Sequence, residues 1–192
     1  INVEIAALLL LVVIVGVNIL GVKKIKKIQA PIVTVAVGFL ITITIWALLT
    51  MEMDWSRPIG KDAYGGGWES VAGTAALVFV SYSGVTKIAA IAEEIKQPSK
   101  NIPSGILISL FISTLLYAGI AYIMMAAVDP ASYEMASGGA REDPIYVFAN
   151  AVGGSVVGII AAFLAVITMT SMALAGIMAA SRYPFAMARD NL

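Results

Sequence analysis

From Ile28 to Leu49 the chain carries no charged side chain. A helix needs about 20 predominantly apolar residues to cross a hydrocarbon core ~30 Å thick, and this run supplies them. Similar runs occupy residues 3–20, 69–95 and 102–128, and a longer one extends from Ile145 to about Ala180. The last exceeds a single crossing, so it reads as an interfacial turn followed by a helix over 155–180. Composition agrees: 60% of the 192 residues are hydrophobic and 12% are charged, against about 25% charged in an average soluble domain. The expected fold is an all-α integral membrane domain, a single transmembrane unit with five helices over 3–20, 28–49, 69–95, 102–128 and 155–180.

Composition also removes several kinds of function. The formal net charge is zero, which leaves no basic footprint for nucleic acid. Cysteine and histidine are both absent, so disulfides, thiolate metal sites and imidazole proton relays are excluded from these residues. No nucleophile–base pair or metal constellation stands out, and neither an enzyme nor a resident cofactor is expected. The sequence opens on Ile1 and stops just after a span. It has no basic n-region or cleavage site of a signal peptide, and reads as an internal segment of a longer protein.

The cations fix an expected orientation. Lys23, Lys24, Lys26 and Lys27 read as a basic hairpin between the first two spans. With Lys96, Lys100, Arg182 and Arg189 they fall on one side, whereas Arg57, Lys61 and Arg141 fall on the other. Short loops rich in Lys and Arg stay in the cytoplasm. The amino end of the segment is therefore expected outside and the carboxyl end inside, in the plasma membrane. Pro31 is placed in the first turn of the second helix, where its missing N–H does little harm. After Gln97-Pro98, Asn101 and Pro103 are start signals for the fourth helix, over 102–128. Two polar outer loops, Met51–Trp68 and Asp129–Pro144, complete the layout, the second with room for a short surface helix. Gly153, Gly154 and Gly158, and more loosely Ala161, Ala165, Ala173 and Gly176, have the small-residue spacing that lets helices approach closely in lipid.

The third run is the unusual one. Ser81, Ser83, Gly84 and Thr86 cluster where an unbroken span favours Leu, Val or Ile, and Lys87 then puts a full charge in the apolar run. On insertion scales that charge costs about 3 kcal/mol at mid-depth, so it should face a cavity or a partner. Glycine loses most by staying helical, and non-helical backbone survives in lipid only where it lines protein or a water-filled site. A helix broken near Gly84 is therefore the candidate substrate site.

These residues carry a resemblance. Ser81-Tyr82-Ser83-Gly84, the acidic pair Glu93-Glu94, Gln97-Pro98, Lys100 and Asn101-Ile102-Pro103 resemble the sixth helix, and its exit, of the amino acid–polyamine–organocation transporter superfamily. Asn18 and Gly21 before the basic linker resemble the end of that family's fourth helix, and the terminal SRYPFAMARDNL the exit of its eighth. The resemblance implies spans four to eight of a protein of about twelve. It also implies part of a leucine-transporter-like inverted-repeat fold, in which the first helix of each repeat is unwound at mid-membrane. The partner broken helix lies in the missing remainder of the transporter chain.

On that resemblance Val80, Ser81, Tyr82, Ser83, Gly84 and Val85 line the substrate site, with Tyr82 stacking on the substrate or gating it. Freed N–H and C=O groups suit the carboxylate and ammonium of an amino acid. Packing for Tyr82, and backbone capping for Ser81, Ser83 and Thr86, are the plainer readings. Many relatives carry an aromatic residue and then Glu after the glycine; here Val85, Thr86 and Lys87 follow. Some relatives carry a coupling lysine in the fifth helix, and the run 28–49 has none. Lys87, beside Thr86, is the candidate for proton coupling, because desolvation lowers a lysine pKa; a salt bridge to an absent helix is the alternative. Thr168, Thr170 and Ser171 are candidate sodium ligands, since hard cations prefer oxygen, although hydroxyls also serve as helix–helix glue. Glu93, Glu94 and Lys100 form a candidate cytoplasmic gate. The expected function is secondary active transport of an amino acid, a related organic cation or a polyamine-like molecule across a lipid bilayer by alternating access, whether by proton symport, sodium symport or exchange. A non-transporting sensor or accessory subunit on the same fold is the alternative.

Overall fold

The computed structural model describes residues 3–19, 22–60, 67–82, 84, 95–135 and 140–189. Five α-helices follow one another: α1 (Val3–Ile19), α2 (Val22–Thr50), α3 (Gly67–Ser81), α4 (Pro98–Ala127) and α5 (Pro144–Arg189). Among the described residues the only β geometry is an isolated bridge between Glu134 and Ala140, so the domain is all-α. The segments Gln29–Thr50, Pro98–Ala127 and Pro144–Ser181 are each long and apolar enough to cross a bilayer, and α1 contributes the shorter apolar stretch Ala7–Val17.

Two local expectations are corrected. The lysine-bearing segment is helical rather than a hairpin, because α2 begins at Val22. Lysine is a good helix former, and continuing the helix satisfies the backbone groups that a hairpin would leave to water. Pro31 consequently lies inside α2 instead of in its first turn, where it removes one i→i−4 bond.

The core sits between α2 and α5. Ile43 and Ala47 of α2 pack with Val128, Phe148, Ala149 and Ala161, and the side chains of Ile43 and Phe148 are fully buried. A second, smaller contact joins Ile14 of α1 to Leu174 of α5. What closes the main core is a break in α5 at Gly154, where φ is 75° and ψ is −175°. That combination is essentially restricted to glycine. The break divides α5 into limbs 144–153 and 155–189, and the first limb folds back on the second. A Cβ at Gly158 would stand 2.9 Å from the Tyr146 ring and 3.1 Å from Asn150 Cβ. A Cβ at Gly153 would stand 3.2 Å from the Trp46 ring. The glycine spacing thus serves a close approach within α5 as well as between α5 and α2.

The loops hold one end together. The N–H of Asp54 donates to the carbonyl of Ala126 at 2.9 Å, and Trp55 stacks on Tyr122 with centroids 6.0 Å apart, so the C-terminal ends of α2 and α4 are neighbours. Hydrogen bonds from Ser56 hold the Asp54 carboxyl below its ordinary range. In the second loop Asp129 caps the 3-10 turn Pro130–Tyr133 by accepting from the N–H of Ala131. Tyr133 donates to the Met124 carbonyl at 3.3 Å, and burial pushes its phenol up to about 12. Arg141 forks onto Asp143 with both contacts at 2.8 Å, which lowers the Asp143 carboxyl pKa.

Candidate functional site

The predicted break falls at the end of α3. Its sequence, GWESVAGTAALVFVS, forms fifteen residues of helix with no buried side chain. At 1.5 Å per residue that helix is about 22 Å long, shorter than the ~30 Å hydrocarbon core. Regular α geometry ends at Ser81, and Tyr82 and Gly84 are in 3-10 turns. Ser81 Oγ donates to the Leu77 carbonyl one turn back on its own helix at 3.1 Å. Val80 is 65% exposed. Among the described residues nothing lies within 4 Å of a Cβ placed on Gly84. Ser83, Val85, Thr86, Lys87, Glu93 and Glu94 lie outside the described residues.

Tyr82 is held by α4. Its hydroxyl is 3.0 Å from Thr114 Oγ1, and its ring meets the Tyr117 ring edge-on, with centroids 6.1 Å apart and an interplanar angle of 68°. Sequence reasoning passed over Thr114 and Tyr117. The available signal was weak: a threonine and a tyrosine three residues apart on one helix face, inside an apolar run.

On the far side of the gap, α4 begins abruptly. Gln97 takes a left-handed conformation (φ 49°, ψ 61°) and Pro98 opens the helix. The N–H groups of Lys100 and Asn101 donate to the Gln97 carbonyl at 3.1 and 3.0 Å, and the Asn101 side chain donates to the Lys96 carbonyl. Lys100 is exposed on this first turn.

The hydroxyls proposed as sodium ligands are not brought to one point. Thr168 donates to the carbonyls of Leu164 and Ala165, both at 2.9 Å, and Thr170 donates to Val166 at 2.8 Å. At about 100° per residue, Thr168 and Ser171 share a face while Thr170 points to another. Ser171 is buried, and its carbonyl accepts from the side-chain amide of Gln29 in α2 at 2.8 Å, a contact that sequence spacing does not announce. Thr168 also lines a cleft of about 90 Å³ between α2 and α5, whose other walls, including Phe39, Leu40 and Leu164, are apolar. Among the described residues no group of three or more acidic, histidine or cysteine side chains is placed to hold a metal ion.

A sequence model described as amino acid permease matches residues 3–192. The chain belongs to the amino acid permease family. As a member it is similar to the branched-chain amino acid permease BcaP of Bacillus subtilis, 30% identical over 90% of this chain and 35% of that protein. It is also similar to the methylthioribose transporter of the same organism, 29% identical over 90% of this chain and 35% of that one. A vacuolar cationic amino acid transporter of Arabidopsis thaliana is 30% identical over 64% of this chain and 21% of its own length. The chain thus spans about a third of the bacterial relatives it matches. No solved structure matches it. The family resemblance read from the Ser81–Pro103 motifs is borne out, and the family is one of membrane permeases, not of enzymes.

Proposed function

We propose that this chain is the central part of a secondary active transporter that carries amino acids or related organic cations by alternating access. The observation that carries the reading is the end of the α3 helix at Ser81, followed by 3-10 geometry at Tyr82 and Gly84, within a chain matched as a permease from end to end. Where a helix stops, N–H and C=O groups lose their internal partners. In lipid such groups are stable only beside protein or a cavity, and they suit a zwitterion. Val80 to Val85 line the site in this reading, with Tyr82 over the substrate. The relatives carry branched-chain amino acids, cationic amino acids and methylthioribose by name, so L-leucine and L-lysine are the first substrates to try.

The orientation follows the lysines: the α1–α2 connection and the start of α4 face the cytoplasm, and the Asp54 and Tyr133 loops face outward from the plasma membrane. Coupling is to a proton through Lys87 or to sodium through hydroxyls such as Thr168 and Ser171. Uptake of labelled L-leucine and L-lysine into proteoliposomes of the full-length protein tests the reading. Accumulation driven by an imposed proton or sodium gradient supports it, and the absence of uptake of any L-amino acid makes the chain a sensor or accessory subunit instead.

A further inference from the structure

Several threonines of the helices bond back to their own helix. Thr34, Thr42, Thr44, Thr50 and Thr74 each donate to the carbonyl four residues earlier on their own helix. Thr114 instead meets Tyr82, thirty-two residues away in the chain. It lies near the middle of α4, Pro98–Ala127, in a run that is otherwise long and apolar enough to cross a bilayer. Breaking that hydroxyl pair leaves each group to find another partner. One turn along, Tyr117 abuts the same ring edge-on, an arrangement that aromatic pairs favour. Two independent contacts therefore fix the ring of Tyr82, and both come from α4.

We infer that Thr114, supported by Tyr117, is a positioning residue that holds the Tyr82 ring in register with the end of α3 and thereby sets how tightly substrate is bound. The inference rests on the proposed substrate site. Thr114 does not touch substrate; it acts through Tyr82. Removing its hydroxyl while keeping its shape frees the ring to turn, so apparent affinity falls while turnover at saturation is retained.

The test uses the full-length protein in proteoliposomes, with initial rates of L-leucine and L-lysine uptake normalised to reconstituted protein. Thr114→Val and Tyr82→Phe are each expected to raise KM about three- to tenfold, the range of a single hydrogen bond, with Vmax within about twofold. The double variant is expected to be no worse than either single one, because both remove the same bond, and Thr114→Ser is expected to restore the wild-type KM. A merely structural role would lower the amount of folded protein and Vmax, and would not give this split. Unchanged KM in Thr114→Val, or additive losses in the double variant, overturns the inference while leaving the transporter reading intact. A wild type that carries no L-amino acid overturns both.

Discussion

Gly154 and Gly84 stand at a break and an end of a helix, and they are handled in opposite ways. Gly154 breaks α5 at φ 75°, and the resulting fold is filled at once: Gly153 and Gly158 on either side have no room for a Cβ, and Phe148 and Ala149 of the turned-back limb are fully buried. Gly84 follows the end of α3, is exposed, and has no described neighbour within 4 Å of where a Cβ would stand. α3 itself buries no side chain. One interruption is consumed by packing, and the other, among the described residues, is not. An irregular stretch of membrane helix is thus not by itself a sign of a site; what surrounds it decides.

The comparison can be broken most directly at Gly154. Gly154→Val forces a β-branched residue into a conformation that costs a non-glycine about 1–3 kcal/mol and unseats the limb that covers the core. Folded protein recovered after detergent extraction is expected to fall severalfold, read by fluorescence-detected size exclusion; wild-type recovery would show that the break is not structural. The counterpart is Gly84→Leu. Here recovery is expected to stay near wild type while uptake drops at least about tenfold, the equivalent of about 1.4 kcal/mol. A variant that folds and transports normally would remove Gly84 from the site.

A finer contrast concerns the loop that joins α4 to the packed limb of α5. Burial raises the folded-state pKa of the Tyr133 phenol to about 12, from its ordinary value of 10.0. The stability it contributes is full below the unfolded pKa and is lost as pH rises through the interval between these values, because only the unfolded chain ionises there. The half-exposed position softens the effect. Tyr133→Phe should flatten that alkaline loss in a thermal-shift series, and an identical pH profile in both proteins would refute the assignment. The smallest effect is expected at the other end of the packed side. Gln29→Leu removes the bond to the Ser171 carbonyl, which in membranes is worth about 0.6 kcal/mol. A shift in thermal stability no larger than a degree or two, with uptake unaltered, fits a simple tie between α2 and α5.

Much of the fold was legible because lipid demands it. Charge-free runs such as 28–49 mark crossings, but the expected start of the fourth helix at 102 was late: α4 opens at Pro98, where a proline at the first helical position forfeits nothing, and Pro103 lies inside it. The division of the last apolar region near Ser155 was legible too, since its length exceeded one span, and the break at Gly154 accounts for it. The start of α2 was not. Four lysines look like a loop to a hydrophobicity reading, although lysine propagates a helix well. The partners of Tyr82 and Ser171 were hidden for a different reason. A membrane helix is apolar on its lipid face and its protein face alike, so no amphipathic period reveals which residues meet. Thr114 and Gln29 then look like any other polar residue in an apolar run.

The doubled-back limb of α5 has a further consequence for traffic through the protein. With Ile43, Ala47 and Phe148 sealed against one another, the seam between α2 and α5 is stoppered near the Tyr133 loop. The small cleft behind it is walled, apart from Thr168, by hydrocarbon, which offers water few partners. Among the described residues that flank is closed by packing, and the stretch proposed to meet substrate, with Tyr82, lies outside it.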